Sequence, residues 1–414
     1  SAAGASVGLG NIWRFPYLAA KYGGGIFLLV YIILALTFGY TLIMAETSLG
    51  RMTRKSPVGA FESFGNSHFI SIGGWINAII PILIVPYYSV IGGWVIKYLI
   101  EYFAGHSKTL AGDAYFTTFI SNGWSTEICF IIFTLFTLGI IYAGVRNGIE
   151  RVSKFMMPIL IVLSLIIAVY SVTRPGAIEG VKYFLVPNFD HFSWMTVVSA
   201  MGQMFYSLSI AMGILITFGS YMKKDTSIEK STENVEIFDT AIAIMAGLMI
   251  IPAVFAFSGG NAETLKSGPA LMFITIPKVF ANMGFGTAIG VVFFLLVLFA
   301  AVTSSIALTE SAVSTFEDEL HWSRKKSTVF MGMVMLLLGT LSCLGYGPLA
   351  NFKILGMQFL DFFDFITNSV MMPIAAIATC LLVSKVVGVD KIEEEIKKDG
   401  QAFRRKKIFC FMIK

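Results

Sequence analysis

SAAGASVGLGNIWRFP (residues 1–16) and GQMFYSLSIAMGILITFGSYM (202–222) are the stretches on which the fold turns. Each is apolar enough to lie in a membrane, yet each carries residues that spoil a continuous helix. The first holds Gly4, Gly8 and Gly10 with Asn11, Arg14 and Pro16. The second holds Gly202, Gly213 and Gly219 with Ser207, Ser209 and Ser220. One glycine in a membrane helix is tolerated, but three beside polar groups argue for an interruption. Unwound backbone is costly in lipid unless it lines a site or is buried in protein. Glycine-mediated helix packing is the plainer alternative for either stretch taken alone.

Working outward, the chain has 414 residues, 56% hydrophobic and 13% charged. Soluble domains carry about 25% charged residues. Because the apolar excess is spread over every segment, an ordinary soluble enzyme, a disordered tail and a nucleic-acid module are excluded. Runs of about 20 apolar residues are long enough to cross a bilayer as helices. They fall near 1–20, 25–48, 74–103, 125–143, 152–172, 194–221, 238–258, 285–315, 328–345 and 355–384, and an eleventh begins near 407. The expectation is an all-α integral membrane protein with one transporter domain over 1–414. A first repeat covers about 1–172 and a second about 194–384, with a cytoplasmic loop and the start of helix 11 over 385–414. The interrupted spans one and six then hold matching places in two halves, which points to a substrate and ion site at the midplane.

Charge placement supplies the orientation. Alternate loops and the last connection hold twenty lysines and arginines, whereas the opposite loops hold far fewer. By the positive-inside rule the basic side, and with it the N-terminus, is cytoplasmic. Both ends read as cut through hydrophobic segments, and the start is not a cleavable signal peptide. A net charge of +5 is too small to imply a polyanion, so no nucleic-acid partner is expected. Cys129, Cys343, Cys380 and Cys410 show no metal or disulfide spacing. Segment 268–281 is too short to span and reads as a re-entrant or capping hairpin. The stretch 389–407 reads as a charged amphipathic loop, a solvated helix.

The run GLGNIWRFPYLAAKYGGGIF (8–27) resembles the signature of the neurotransmitter:sodium symporter family, sodium-coupled transporters of amino acids and related amines. The likeness extends through Glu46 in AETSLGR, Tyr87-Tyr88 and Trp94, GQMFYSLS, AAVTSSIAL, EDEL at 317–320 and FLDFFDF. It is closest in kind to the bacterial leucine transporter and its hydrophobic-amino-acid relatives. It implies an inverted 5+5 helix repeat, with helices 1 and 6 discontinuous, and no enzymatic activity.

The resemblance implies two sodium ions. One is held by the Ser6 carbonyl, Asn11, Ser207 and Asp239; the other by carbonyls of Gly4, Val7 and Ala300 and hydroxyls of Thr303 and Ser304. The substrate carboxylate would meet backbone N–H groups near Leu9 and Gly10 and the Tyr88 hydroxyl. Its amine would face the break near Tyr206 and Ser209. Ile84, Met212, Ser305, Ala307 and Leu308 complete an apolar side-chain pocket. Arg14 and Asp364, with Gln203 between them, would form an outer gate; Asp318 and Tyr221 match inner gate positions. Glu46 would accept hydrogen bonds from unwound backbone. Gly148 and Pro158 resemble an arrangement that lets the fifth helix unwind, and a plain proline kink explains them equally well.

Two departures from family patterns bear on function. Gly8 stands where amine-transporting members carry an aspartate, so the substrate is expected to bring its own carboxylate. Asp239 stands where many members have asparagine, and chloride is therefore not expected to be required. The function implied is sodium-coupled symport of a neutral, hydrophobic or aromatic α-amino acid across the plasma (cell inner) membrane by alternating access. An amine or osmolyte transporter and a nutrient sensor are the alternatives. The partners implied are the amino acid and the lipid bilayer; the oligomeric state is left open.

Overall fold

The computed structural model describes residues 8–65, 67–259, 271–400 and 402–414. In chain order its main helices are α1 (10–21), α2 (Gly25–Thr53), α3 (His68–Phe103), α4 (Gly123–Tyr142), α5 (Gly148–Val172), α6 (Trp194–Ser207) and α7 (Ile214–Tyr221). They continue with α8 (Ile228–Ser258), α9 (Leu271–Ala281), α10 (Gly286–Glu319), α11 (Arg324–Leu344), α12 (Phe359–Val387), α13 (Val389–Ile396) and α14 (Lys406–Met412). Eight of these are long and apolar enough to cross a membrane. Short helices on the connecting segments join them, and no named strand occurs among the described residues.

The long helix α3 is the spine, packing along α10, α4 and α11, while α7 lies on α2 and α8 lies on α5. Small residues allow the close approaches. A Cβ on Gly93 of α3 would stand 2.6 Å from the Phe130 backbone nitrogen of α4. With no hydrophobic drive between helices in lipid, this kind of backbone approach is what holds a bundle together.

Between α6 and α7 the chain leaves the helix for residues 208–213. Ser209, Ala211 and Gly213 sit at φ 56, 58 and 72°, the left-handed region that side-chain-bearing residues avoid. Each non-glycine there costs about 1–3 kcal/mol and persists only where its surroundings dictate it. Glu46 of α2, fully buried, is one such determinant: its Oε1 accepts the Ala211 N–H at 2.8 Å. Gly213 is required at its place for a second reason. A Cβ there would lie 2.7 Å from Pro57 and 2.9 Å from the Asn77 carbonyl oxygen.

Two expectations are corrected. Residues 271–281 form a helix, α9, whose Phe273 is buried among Trp94, Tyr98 and Phe116, so the described part is not a hairpin. The aromatic residues of GPALMFITIPKVFA find a ring cluster to enter and need no re-entrant loop. The stretch 389–396 is helical but docked rather than solvated. Its Ile392 and Ile396 are buried, and its Glu395 forms a 2.7 Å ion pair with Arg51 of α2, the two side chains 2% and 0% exposed.

Arg51 spends its other donors on the Thr226 and Glu395 carbonyls. Burial works against the Glu395 charge, but hydrogen bonds from Lys398 and Arg51 hold its carboxyl below the usual range. Because the folded carboxyl titrates lower than the unfolded one, the pair's contribution is full above the ordinary carboxylate range. It is lost as pH falls through the lowered value. Arg51→Ala leaves Glu395 with Lys398 as its remaining cation, so the cost stays below the about 3–5 kcal/mol of a wholly unpaired buried charge. The expected result is a clear drop in the thermal midpoint of the purified protein. An unchanged midpoint would show that the docking of α13 contributes nothing.

Candidate functional site

The start of α1 runs beside the 206–214 break, and backbone meets side chains there at close range. A Cβ on Gly10 would stand 2.4 Å from the Tyr206 ring; one on Gly8 would stand 2.4 Å from Ser304 Oγ and 3.2 Å from the Tyr88 hydroxyl. These contacts enclose a central cavity of about 30 Å³. Its walls come from Gly8–Asn11, from Ile84 and Tyr88 of α3, from the break and its flanks (Tyr206, Ser207, Ser209, Met212, Ile214) and from Ser304 and Leu308 of α10. Among the described residues none of these wall positions is charged. A cavity of this size admits about one water, whereas sites for drug-sized ligands run to about 300–1,000 Å³.

The Leu9 N–H donates to the Tyr88 hydroxyl at 3.2 Å, so a backbone donor and a phenol meet beside the cavity. Against it lies a polar cluster: Asn11 Nδ2 donates to Ser207 Oγ at 2.8 Å and to Asp239 Oδ1 at 2.9 Å. Asp239 also accepts from the Ser207 and Tyr31 hydroxyls. All four side chains are buried, at most 3% exposed. Sequence reasoning named Asn11, Ser207 and Asp239 but missed Tyr31, a lone hydroxyl in the apolar run of α2. No lysine or arginine among the described residues pairs with Asp239. A buried carboxylate held only by neutral donors is an incomplete charge arrangement, and a small hard cation among those oxygens would complete it. Asn11 Oδ1 accepts the Gly8 N–H at 3.1 Å, which ties the cluster to the start of α1.

Ala300, Thr303 and Ser304 stand together on α10, with the Thr303 hydroxyl bonded to the Phe299 and Ala300 carbonyls at 3.1 Å each. Gly4, Ser6 and Val7 lie outside the described residues. Ser305 is corrected: its hydroxyl lies 3.2 Å from Thr137 of α4, away from the cavity. One helical step of about 100° separates the Ser304–Leu308 face from the Ser305 face. Ala307, also turned off that face, does not line the cavity.

The expected outer gate takes a different form. Arg14 lies over the Tyr206 ring at 5.2 Å, and Asp364 accepts from Tyr87 at 3.2 Å and Asn368 at 2.6 Å. Among the described residues the two charges make no direct ion pair, though they attract across the gap. Gln203 reaches the Gly10 carbonyl at 3.1 Å instead of bridging them. On the basic side Tyr221 donates to Glu310 at 2.6 Å, and Arg324 grips Glu310 with bonds of 3.0 and 2.5 Å. Asp318 is apart from this group and accepts the Ser56 N–H. The start of the fifth helix has wide, π-type turns at 145–150, where a Cβ on Gly148 would lie 2.1 Å from the Ile140 carbonyl oxygen.

With this geometry in view, comparison with known proteins gives one pattern. The model of the sodium:neurotransmitter symporter family matches residues 1–134 and 118–414. The sodium-dependent transporter YhdH of Bacillus subtilis is 33% identical over 405 residues, 97% of this chain and 89% of that one. A sodium-dependent transporter of Haemophilus influenzae is 31% identical, covering 96% and 88%. Among solved structures, MhsT in complex with L-phenylalanine superposes with a TM-score of 0.89 at 34% identity, over 100% of this chain and 93% of that one.

Proposed function

The chain belongs to the sodium:neurotransmitter symporter family, a multi-pass membrane transporter and not an enzyme, and from that premise we propose that it carries a neutral, hydrophobic or aromatic α-amino acid inward with sodium. The observation that carries the substrate class is the uncharged cavity wall. With Gly8 in contact range of Ser304 and Tyr88, no carboxylate is available to pair with a substrate amine. A zwitterion supplies its own anion, and the Leu9 N–H and Tyr88 hydroxyl stand ready for it. Ile84, Met212, Ile214 and Leu308 offer the apolar surface for its side chain, Met212 as the adaptable member. The L-phenylalanine held by the related MhsT agrees with this class.

Two sodium ions accompany the substrate in this reading. Asn11, Ser207 and Asp239 with the Ser6 carbonyl would receive one; Ala300, Thr303 and Ser304 with the Gly4 and Val7 carbonyls the other. Asp239 supplies a negative charge of its own, so chloride is not needed. In this reading the N-terminus is cytoplasmic, which the basic loops support, and the membrane is the plasma membrane. Each sodium entering at −100 mV contributes about 2.3 kcal/mol, before its concentration gradient is counted. Tyr206 with Arg14 closes the outer path, and Tyr221 with Glu310 and Arg324 closes the inner one, so access alternates.

Uptake of radiolabelled amino acids into proteoliposomes, with sodium or choline outside, tests the proposal. Phenylalanine, leucine, methionine, tyrosine or tryptophan is expected to accumulate in sodium and not in choline. Uptake of an amine or osmolyte instead would overturn the substrate class. Equal uptake in both media would overturn the coupling.

A further inference from the structure

Where Phe136 and Phe155 are exposed, α4, α5 and α10 leave a crevice of about 430 Å³ between them. Its walls are Phe136, Phe155, Met156, Leu298, Phe299 and Val302, almost wholly apolar, and a single charged side chain, Arg151, stands among them. Scattered apolar residues are unremarkable on a membrane protein, but a concave apolar slot with one cation at its rim is a particular shape. Neighbouring charges on this turn are already matched, since Lys154 pairs with Glu150 at 2.7 Å. Arg151 has no carboxylate within ion-pair distance among the described residues. It also lies in the first turn of α5, beside the basic connection that carries Arg146 and Lys154 in the sequence.

We propose that this crevice binds one anionic phospholipid, its acyl chain along the α4–α5–α10 slot and its phosphate on Arg151. A guanidinium presents paired N–H donors that match phosphate oxygens, and a basic pocket between helices near the interface selects anionic headgroups. The acyl chain would lie behind Phe299 and Val302, on the α10 segment that carries Ala300, Thr303 and Ser304 on its other side. The binding itself does not depend on which substrate is carried.

Native mass spectrometry of the full chain, offered equal amounts of phosphatidylglycerol and phosphatidylcholine, tests the site. The unaltered protein is expected to retain one phosphatidylglycerol in preference by about fivefold, the worth of one basic side chain at an anionic surface. Arg151→Gln should bring the two lipids to parity, while Lys154→Gln should keep the preference. Val152→Trp, which fills the slot without changing charge, should reduce retention of both lipids. Equal retention of the two lipids by the unaltered protein overturns the proposal without any variant. So does a preference that survives Arg151→Gln, full retention in Val152→Trp, or displacement of the lipid by millimolar inorganic phosphate.

Discussion

Asp239→Asn is expected to raise the sodium concentration needed for half-maximal uptake by about tenfold or more, and to make the residual uptake respond to chloride. Asp239 is the one formal charge in its cluster, held by Asn11, Ser207 and Tyr31 and shielded from solvent. Opposite unit charges 4 Å apart attract by about 4 kcal/mol at an effective dielectric of 20. Retaining two thirds of that attraction through other dipoles would still forfeit about 1.4 kcal/mol, a factor of ten.

The neutral side chain keeps the shape of the cluster, so misfolding does not explain the loss. It also leaves Tyr31 and Ser207 with hydroxyl donors and no carboxylate, a setting in which a small anion gains hydrogen bonds. Uptake measured against sodium, in chloride and in gluconate, reads both effects. Sodium dependence unchanged by the substitution would remove Asp239 from the ion site. Collapse of the unaltered protein's uptake in gluconate would remove the reason for its charge.

Sequence and structure agree most where composition is forced by the membrane. Three glycines and a proline in one apolar run, and a serine–glycine series in another, have few uses in lipid other than a break. The 208–213 interruption lies inside the second of those runs. Asn11, Ser207 and Asp239 carried polar side chains into apolar surroundings and were visible for that reason. Tyr31 was not, because a tyrosine in the run GIFLLVYIIL passes for an apolar ring until the partner of its hydroxyl is known.

Ser305 failed for a different reason. Ser304 and Ser305 are chemically identical, and only the rotation of α10 decides which faces the cavity and which faces Thr137. The docked helix α13 was read as solvated because its charges outnumber its apolar residues. Its Glu395 meets Arg51 across 344 residues of chain, a pairing that no local pattern announces. Arg14 and Asp364 were read as a pair on the expense of lone charges in a span. An aromatic face, two neutral donors and the attraction between the two charges across the gap relieve that expense, without a direct ion pair.

The glycines at the centre lead to the second large effect. Gly10→Ala is expected to lower uptake by about ten- to a hundredfold, the equivalent of an overpacking cost near 1–3 kcal/mol. Its methyl would stand 2.4 Å from both Cδ1 and Cε1 of Tyr206, a ring edge and not the tip of a flexible chain. Tyr206 cannot yield freely, since Arg14 covers its face and the 208–213 break begins directly after Ser207. The closed state therefore bears most of the cost, while a state with Tyr206 swung away bears little. Uptake, which must pass through closure, falls more than folding stability. Gly202→Ala provides the control on α6, the helix that carries Tyr206, because a Cβ there meets nothing within 4 Å. It should transport normally. A Gly10→Ala protein with normal uptake would mean that Tyr206 does not close over the substrate. One with a thermal midpoint as depressed as its uptake would mean that the glycine serves the fold alone.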